Sequence, residues 1–194
     1  MVEIMSTQTA LIPIFPLPVC IMVGGITELR IFEARYVRLV SEASSGEGFV
    51  ISHYESNMPH TSSEYGTLVD IIDFKTLDNG LLCITVKGRA MVSLSLFTQD
   101  DDGLHRAQVV EIDHWSQHIE NIYDEALAQP LQNLINHHDE LKRNFSQGDY
   151  QNLAWVCARY VELLPLSSSK KQQLMFSQNL EQCQQFIKTL MKGE

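Results

Sequence analysis

His114 and His118 are spaced so that a helix would place their imidazoles one turn apart, with Glu120 close by as a third possible metal ligand. A structural or catalytic zinc site requires three or four ligands held in fixed positions. Trp115 and the residues around it suggest a linker instead, and no fourth ligand is evident in this segment. We therefore predict that the protein binds no metal here and needs no cofactor.

The four cysteines, Cys20, Cys83, Cys157 and Cys183, are the candidate nucleophiles. They are far apart and form no C-x-x-C pair, and the sequence has no recognisable secretion signal, so we expect reduced thiols. Cys157 lies in the apolar segment LAWVCARYV, and Cys20 and Cys83 lie in strand-like apolar runs. Such positions favour the role of a small buried hydrophobic residue. No cysteine has the electropositive setting that an activated thiolate requires.

Paired carboxylates and nucleotide-binding motifs give no catalytic constellation either. Asp70 and Asp73 lie three apart in the strand-like segment DIIDF, so they should point to opposite faces of the strand. The sequence contains no P-loop, no nucleophile elbow and no dinucleotide-binding glycine motif. We predict no catalytic, cofactor-binding or metal-binding residue and no enzymatic activity. A small hydrolase built on the scattered Cys and His residues is kept as an alternative.

The charge balance limits the possible partners. The chain has 14 basic and 24 acidic side chains, a formal charge of −10, and residues 1–118 carry most of the excess. Nucleic acids and anionic membranes are bound through clustered Lys and Arg, so we expect neither as a partner. The apolar start has Glu3 where a signal peptide would be basic, and prolines interrupt it, so we predict a cytoplasmic protein. The oligomeric state is left open.

The segment LRIFEARY, residues 29–36, places charges among large apolar side chains. Its first half is typical of the end of a strand, and FEARYVRLVSEAS is typical of the helix after it. Arg30 and Glu33 fall at this junction, where a guanidinium can hold a carboxylate or loop carbonyls. We therefore predict a structural role for Arg30, Glu33 and Tyr36.

The helix has one apolar face and one charged face. We expect the inward set to be Tyr36, Val37, Val40 and Ala43, and the outward set to be Arg35, Arg38 and Glu42. The outward set has two interpretations. It binds an acidic or carboxylate-bearing segment of a protein partner, or it only solvates the helix, with Arg38 paired to Glu42.

Two halves of the chain follow different hydrophobic periods. Up to about residue 113, short alternating runs such as LLCITVK and MVSLSLF are separated by turn sequences, including a solvated hairpin turn at Asp100–Gly103, which predicts a barrel or sandwich of strands. In MVSLSLF, Leu96 should face inward with Val92 and Leu94. From residue 119 onward the period is helical, and Pro130 should kink or split the first helix. The pattern predicts an α+β fold with a β-rich domain at 1–118 and a small helical bundle at 119–194.

Residues 13–36, PIFPLPVCIMVGGITELRIFEARY, resemble the opening of the Lon-protease N-terminal domain family, as found in small stand-alone Lon-domain proteins. The matching positions are Pro13, Phe15, Pro16, Leu17, Gly24, Leu29, Arg30, Ile31, Phe32, Glu33, Arg35 and Tyr36. Weaker matches follow in order, including Gly66-Thr67, Val86-x-Gly88-Arg89 and the segment LPLSSSKKQQLM at 164–175. Val23 and Ala34 stand where the family has prolines, which loosens two turns without removing a chemical group.

The resemblance implies a PUA-like β-barrel followed by a helical bundle, the part of full-length Lon proteases that helps to recognise protein substrates. The ATPase and Ser–Lys peptidase domains of those enzymes would need several hundred further residues. We therefore expect a non-enzymatic module that binds unfolded polypeptides or a protein partner. Because PUA-like barrels often bind RNA, an RNA-associated protein is the alternative, and the acidic charge of the β-rich half opposes it.

The missing motifs lead to a first prediction, that the purified protein hydrolyses neither ATP nor casein. Without a P-loop the chain has no cradle for the phosphates of a nucleotide, and without a paired nucleophile and base it has no means to attack a peptide bond. Phosphate release and degradation of labelled casein measure the two activities. Turnover that survives successive columns, and disappears on substitution of one of the chain's own residues, would contradict the prediction.

Overall fold

A computed structural model describes residues 11–115 and 122–192 of the chain. The strands in these ranges are β1 Leu11–Leu17, β2 Ile26–Ile31, β3 Phe49–Tyr54, β4 Ser62–Thr76, β5 Leu82–Gln99 and β6 His105–Glu111. The helices are α1 Ala34–Ala43, α2 Glu125–Asn136, α3 Asp139–Phe145, α4 Leu153–Leu163, α5 Ser168–Met175 and α6 Leu180–Lys192. The 3₁₀ turn Pro59–Thr61 precedes β4. The predicted α+β class is confirmed.

The six strands form one sheet in the order β2-β5-β4-β3-β1-β6, and β6 also pairs with β5. Five strands therefore make a closed ring of pairings. The first part of β5 pairs with β2 and its last part pairs with β6. Among the described strands, β2 pairs with β5 alone. Its other edge has no ladder partner in the described ranges.

A bulge in β5 changes which side chains face inward. The register of β5 on β6 shifts between Ser95 and Thr98, and Leu96 has a φ of 48°. Leu96 is consequently 70% exposed, although Val92 and Leu94 are buried. The prediction that Leu96 faces inward is therefore wrong, because the bulge rotates the strand after Leu94.

The first predicted helix is divided into α2 and α3, but the division does not fall at Pro130. Helix α2 runs through Pro130 and ends at Asn136, and α3 begins two residues after His137. The segment DYQNLAWVCARYVELLP predicts Asp149 as the N-cap of α4, but Asn152 caps it. The sequence also predicts Ser167 and Asn179 as the caps of α5 and α6, and both accept hydrogen bonds from the first turns of these helices. None of the helices in the described ranges has the length and apolar composition needed to cross a bilayer.

Three buried clusters join these elements. Two lie against the sheet, one of them beneath α1 and the other beside β1, β3 and β6. The third lies among the helices and includes Met22 and Met91 from the β-rich half. The two halves thus share a core. The predicted boundary at 118/119 falls within 116–121, outside the described residues, and the division into domains stays a prediction.

A buried ion pair fixes the helices to the loop between β1 and β2. Arg159 of α4 is fully buried, and its Nε lies 2.8 Å from Glu162 Oε2. Glu162 Oε1 accepts hydrogen bonds from the Met22 main-chain N–H at 2.6 Å and from Arg159 Nη2 at 2.8 Å. Burial raises the pKa of Glu162, and the Arg159 guanidinium opposes that rise. The guanidinium also lies 5.2 Å from the centre of the Trp155 ring and 5.3 Å from that of Phe145, which stabilises its charge.

Removing one member of this pair should be costly. Arg159→Met leaves Glu162 buried without its cation, and Glu162→Leu leaves Arg159 buried without its anion, so each should lower the free energy of unfolding by about 3–5 kcal/mol. The double variant should cost less than the sum of the two. Urea unfolding measures all three. As a control, Lys75→Gln removes an exposed pair with Glu28 and should lower the free energy of unfolding far less, because water screens exposed ion pairs; equal losses in Lys75→Gln and Arg159→Met would contradict the prediction.

A network of charged side chains fixes α1 to the turn between β5 and β6. Arg38 holds both carboxylate oxygens of Asp102, at 2.6 and 2.8 Å, and also Asp100 at 2.8 Å. Arg106 bridges Asp100 and Glu42 at 2.8 Å each. The expected ion pair between Arg38 and Glu42 is present at 2.9 Å. The Asp100–Gly103 turn is thus held by arginines, where the sequence suggested only a solvated turn.

The inward face of α1 differs at one position from the sequence-based expectation. Tyr36, Val40 and Ala43 are buried, but Val37 is 47% exposed and Leu39 is fully buried. The prediction that Val37 faces inward is wrong, because the strip of α1 that contacts the sheet runs through Leu39.

The network predicts a shift in the titration of Asp102. Hydrogen bonds from Arg38 lower the pKa of Asp102 from 3.8 to about 2. A pKa below the unfolded value stabilises the fold above pH 4, and this contribution is lost as the pH falls from about 4 to about 2. Arg38→Gln should raise the pKa of Asp102 towards 3.8 and flatten the decline in stability over that range.

Carboxyl carbon shifts measured by NMR follow the titration of Asp102, and urea midpoints at several pH values follow the stability. Arg89→Gln is the matched control, because Arg89 is a similarly exposed cation paired with Asp70. It should leave the Asp102 titration unchanged. An Asp102 pKa that stays at about 2 in Arg38→Gln would show that Arg38 is not the cause.

Candidate functional site

A cleft of about 490 Å³ lies where the end of β1, β2 and the start of α1 come together. Six of the eight residues of the segment 29–36 line it. The alternation of β2 explains why: Leu29 and Ile31 are buried in the core, while Arg30 and Phe32 are exposed. The last residue of β3, the 3₁₀ turn before β4 and the first residue of β6 complete the walls.

The floor of the cleft is a fixed aromatic stack. The rings of Phe15 and Tyr36 are 3.9 Å apart and nearly parallel. The Arg35 guanidinium lies 4.7 Å from the centre of the Tyr36 ring, and its nitrogens contact Glu33 at 2.7 Å and the Gly103 carbonyl at 3.0 Å. Burial raises the pKa of Tyr36. These contacts give the cleft a preformed base.

Two large aromatic side chains at the cleft are exposed. Phe32 is 72% exposed and Tyr54 is 47% exposed, and both line the cleft. They come from different elements, the β2–α1 junction and the end of β3. Exposed apolar side chains that converge on one concavity are typical of surfaces that bind a partner.

The polar groups of the cleft differ in how they are paired. Glu28 contacts Lys75 at 2.6 Å, and Glu33 contacts Arg35. Arg30 is exposed, and its side chain makes no hydrogen bond or ion pair with any residue of the described ranges. It lines the cleft as an uncompensated cation.

His105 adds a buried nitrogen to the cleft. Its Nδ1 is buried and has no hydrogen-bond partner among the described residues. Burial lowers the pKa of His105, and the neighbouring His60 and Arg35 lower it further, so the ring is neutral at pH 7. A neutral imidazole nitrogen can pair with a neutral amide group.

Backbone strain occurs at the same wall. His60 and Thr61 have φ values of 62° and 53°, in the left-handed region that disfavours β-branched side chains such as that of Thr61. Thr61 lines the cleft, and the His60 ring stacks on Phe97 at 5.2 Å. Strain of this kind clusters at binding sites.

A second concavity, of about 370 Å³, lies between the sheet and helices α4 and α5. Its charged groups are already engaged: Glu162 accepts a hydrogen bond from Arg159, and Lys171 Nζ donates to the Glu162 carbonyl at 2.6 Å. Cys20 lines it, and burial raises the pKa of this thiol to about 12, so it is no nucleophile at pH 7. The cleft at β2 is therefore the stronger candidate for binding.

His114, the one candidate metal ligand in the described ranges, lines neither of these two concavities. His114 is buried, and its Nε2 lies 2.8 Å from the Met175 carbonyl. His118 and Glu120 lie outside the described residues. Within the described ranges no three His, Cys, Asp or Glu side chains are grouped so that they could hold a metal ion.

The predicted partner-binding residues have two different surroundings. Arg35 lines the cleft, whereas Arg38 and Glu42 belong to the charged network of the β5–β6 turn. Their binding of a partner stays a prediction. At the junction, Glu33 pairs with Arg35, and Arg30 lines the cleft. The structural role of Arg30, Glu33 and Tyr36 also stays a prediction.

Sequence reasoning missed Tyr54, Thr61 and His105. They reach the cleft from β3, the 3₁₀ turn and β6, far from residues 29–36 along the chain. The one local signal is Tyr54, a large aromatic side chain at the polar end of the strand FVISHY.

Comparisons with known proteins agree with this architecture. The family model of the ATP-dependent protease La (LON) substrate-binding domain matches residues 11–192. A Lon N-terminal domain protein from Xanthomonas campestris has a similar crystal structure, with a TM-score of 0.70 and 24% identity over 93% of this chain and 98% of that one. The N-terminal domain of a Mycobacterium avium complex Lon protease has a TM-score of 0.60 and 12% identity, over 90% and 94% of the two chains. No curated protein sequence gives a significant match. Because the family model covers nearly the whole sequence, the chain belongs to the LON substrate-binding domain family.

Proposed function

We propose that this chain is a non-catalytic module that binds polypeptides, and that the cleft at β2 is its binding site. The observation that carries the proposal is the pair of exposed aromatic side chains, Phe32 and Tyr54, at a cleft built on the segment 29–36. The family name, which describes a substrate-binding domain, supports the polypeptide as the ligand class.

The physical basis is burial of apolar surface. Covering an exposed aromatic side chain contributes about 25 cal/mol per Å² of apolar area, and the stacked floor of Phe15 and Tyr36 needs no rearrangement to receive a ligand. The free edge of β2 offers main-chain groups to an extended segment, which is a common mode of peptide recognition. An unfolded chain presents both apolar side chains and main-chain groups, whereas a folded protein buries them.

The proposal includes the finer architecture. The closed ring of five strand pairings is consistent with a PUA-like barrel, and the five helices after residue 122 with a bundle that spans 119–194. The sequence motifs of ATPases and peptidases are missing from the printed chain, which supports a module without catalysis. We propose a cytoplasmic location for it, where the free cysteines would stay reduced.

Substitution of the two aromatic residues tests the site. Phe32→Ser together with Tyr54→Ser should weaken binding of labelled β-casein, used as an unstructured polypeptide, about tenfold or more, because apolar contact area is lost. Fluorescence anisotropy measures the affinity. Both side chains are exposed, so the melting temperature should change by less than a few degrees.

Phe74→Ser is the matched control, because Phe74 is 50% exposed and does not line the cleft. It should leave the affinity unchanged. Unchanged affinity in the stable double variant would place the site elsewhere, and wild-type protein that binds no unfolded polypeptide would disprove the function. A labelled RNA titrated in parallel should bind more weakly than about 10⁻⁶ M at physiological salt; a tighter complex would favour the RNA-associated alternative.

A further inference from the structure

Glu28, Arg30 and Phe32 form a row of exposed side chains that faces the cleft. Burial alternates along this segment, with Leu29 and Ile31 inside, so the three side chains point to one side at two-residue intervals. An extended chain lying beside β2 would meet them in the same period of two, since directly opposed residues of paired strands lie about 4.5–5.5 Å apart. The row therefore determines which types of side chain the ligand should carry at every second residue.

The two charged residues of this row differ in whether an oppositely charged side chain pairs with them. Glu28 is neutralised by Lys75, and Glu33 beside the row is neutralised by Arg35. No carboxylate of the described ranges forms an ion pair with Arg30. A guanidinium binds a carboxylate through two parallel hydrogen bonds, so Arg30 is suited to a carboxylate on the ligand.

We propose that the cleft selects extended polypeptide segments in which an acidic side chain, placed for Arg30, lies two residues from an apolar side chain placed for Phe32. This inference rests on the proposed function and names its substrate class. The acidic group is an internal side chain, because the row continues on both sides of Arg30, to Phe32 and to the Glu28–Lys75 pair. A chain that follows the row must extend past Arg30 in both directions.

The net charge of the protein sharpens this selection. With a formal charge of −10, the molecule as a whole repels acidic chains, and this repulsion acts on every acidic segment alike. The local contact with Arg30 is short-ranged and is screened less than the repulsion between distant charges. A single well-placed carboxylate is therefore favoured, and a run of acidic residues is not.

Four labelled peptides of equal length test the inference, each acetylated at the N-terminus. The first has Glu two residues from Leu, the second replaces Glu by Gln, and the third moves Glu next to Leu; all three are amidated at the C-terminus. The fourth is the Gln peptide with a free C-terminal carboxylate. Anisotropy titrations at physiological salt, where the repulsion between distant charges is screened, should show the first peptide binding about 3- to 5-fold more tightly than the other three, as a partly exposed ion pair allows.

Arg30→Gln, combined with the Glu and Gln peptides, gives a double-mutant cycle for the proposed ion pair. It should reduce binding of the Glu peptide to the level of the Gln peptide and leave the Gln peptide unaffected. Since the Arg30 side chain makes no hydrogen bond or ion pair in the described ranges, the melting temperature should change little. Arg89→Gln, which removes a cation that does not line the cleft, should preserve the difference between the peptides.

The possible failures are distinguishable. If no peptide binds, and unfolded casein does not bind either, the proposed function fails. If all four peptides bind equally, or if Arg30→Gln retains the preference for Glu, the function stands and the inference is overturned. Equal binding of the third peptide would overturn the two-residue spacing, and tight binding of the fourth would make a chain terminus the ligand in place of an internal side chain.

Discussion

The buried contact of Arg159 and Glu162 with the Met22 main chain determines where β2 begins. Position 25 must be glycine because of Glu162, since a Cβ at Gly25 would lie 2.2 Å from Glu162 Oε1. The glycine-containing loop is also tied to β5, because Gly24 N–H donates to the Gly88 carbonyl and Gly88 N–H to the Gly25 carbonyl, at 2.8 and 2.9 Å. One helix thereby sets the start of the strand whose exposed side chains line the cleft.

The segment 29–36 both fills the core and lines the cleft, and the alternation of a strand explains how. Leu29 and Ile31 fill the core beneath α1, whereas Arg30 and Phe32 face the cleft. Tyr36 belongs to the floor. The charges of α1 divide in the same way: Arg35 supports the floor, and Arg38 anchors the helix to the β5–β6 turn. These contacts of Arg35 and Arg38 hold α1, and with it the floor of the cleft, in place.

Local patterns in the sequence were sufficient for the strands, most helix starts and the family. Period-two and period-3.6 repeats depend on neighbouring residues, and so do caps such as Ser167 and Asn179. Contacts that depend on the closed ring could not be found in this way. Arg38 and Asp102 are 64 residues apart, and no local rule pairs them; the exposure of Leu96 follows from a bulge that only the partner strand reveals. Only part of the cleft could be predicted from the sequence. Residues 29–36 are continuous in the chain, whereas Tyr54 and His105 reach the cleft only through strand pairing.

The contact between Met22 and Glu162 joins residues 140 positions apart, and this has a consequence for how the chain acquires its structure. Closing so large a loop costs conformational entropy before any contact compensates it, and topologies rich in such contacts fold slowly. During synthesis, the loop that starts β2 must wait until α4 has left the ribosome. Until then the apolar N-terminal strands are exposed to other chains. The chain that we propose to bind unfolded polypeptides is therefore itself incompletely folded until its helical half has been made.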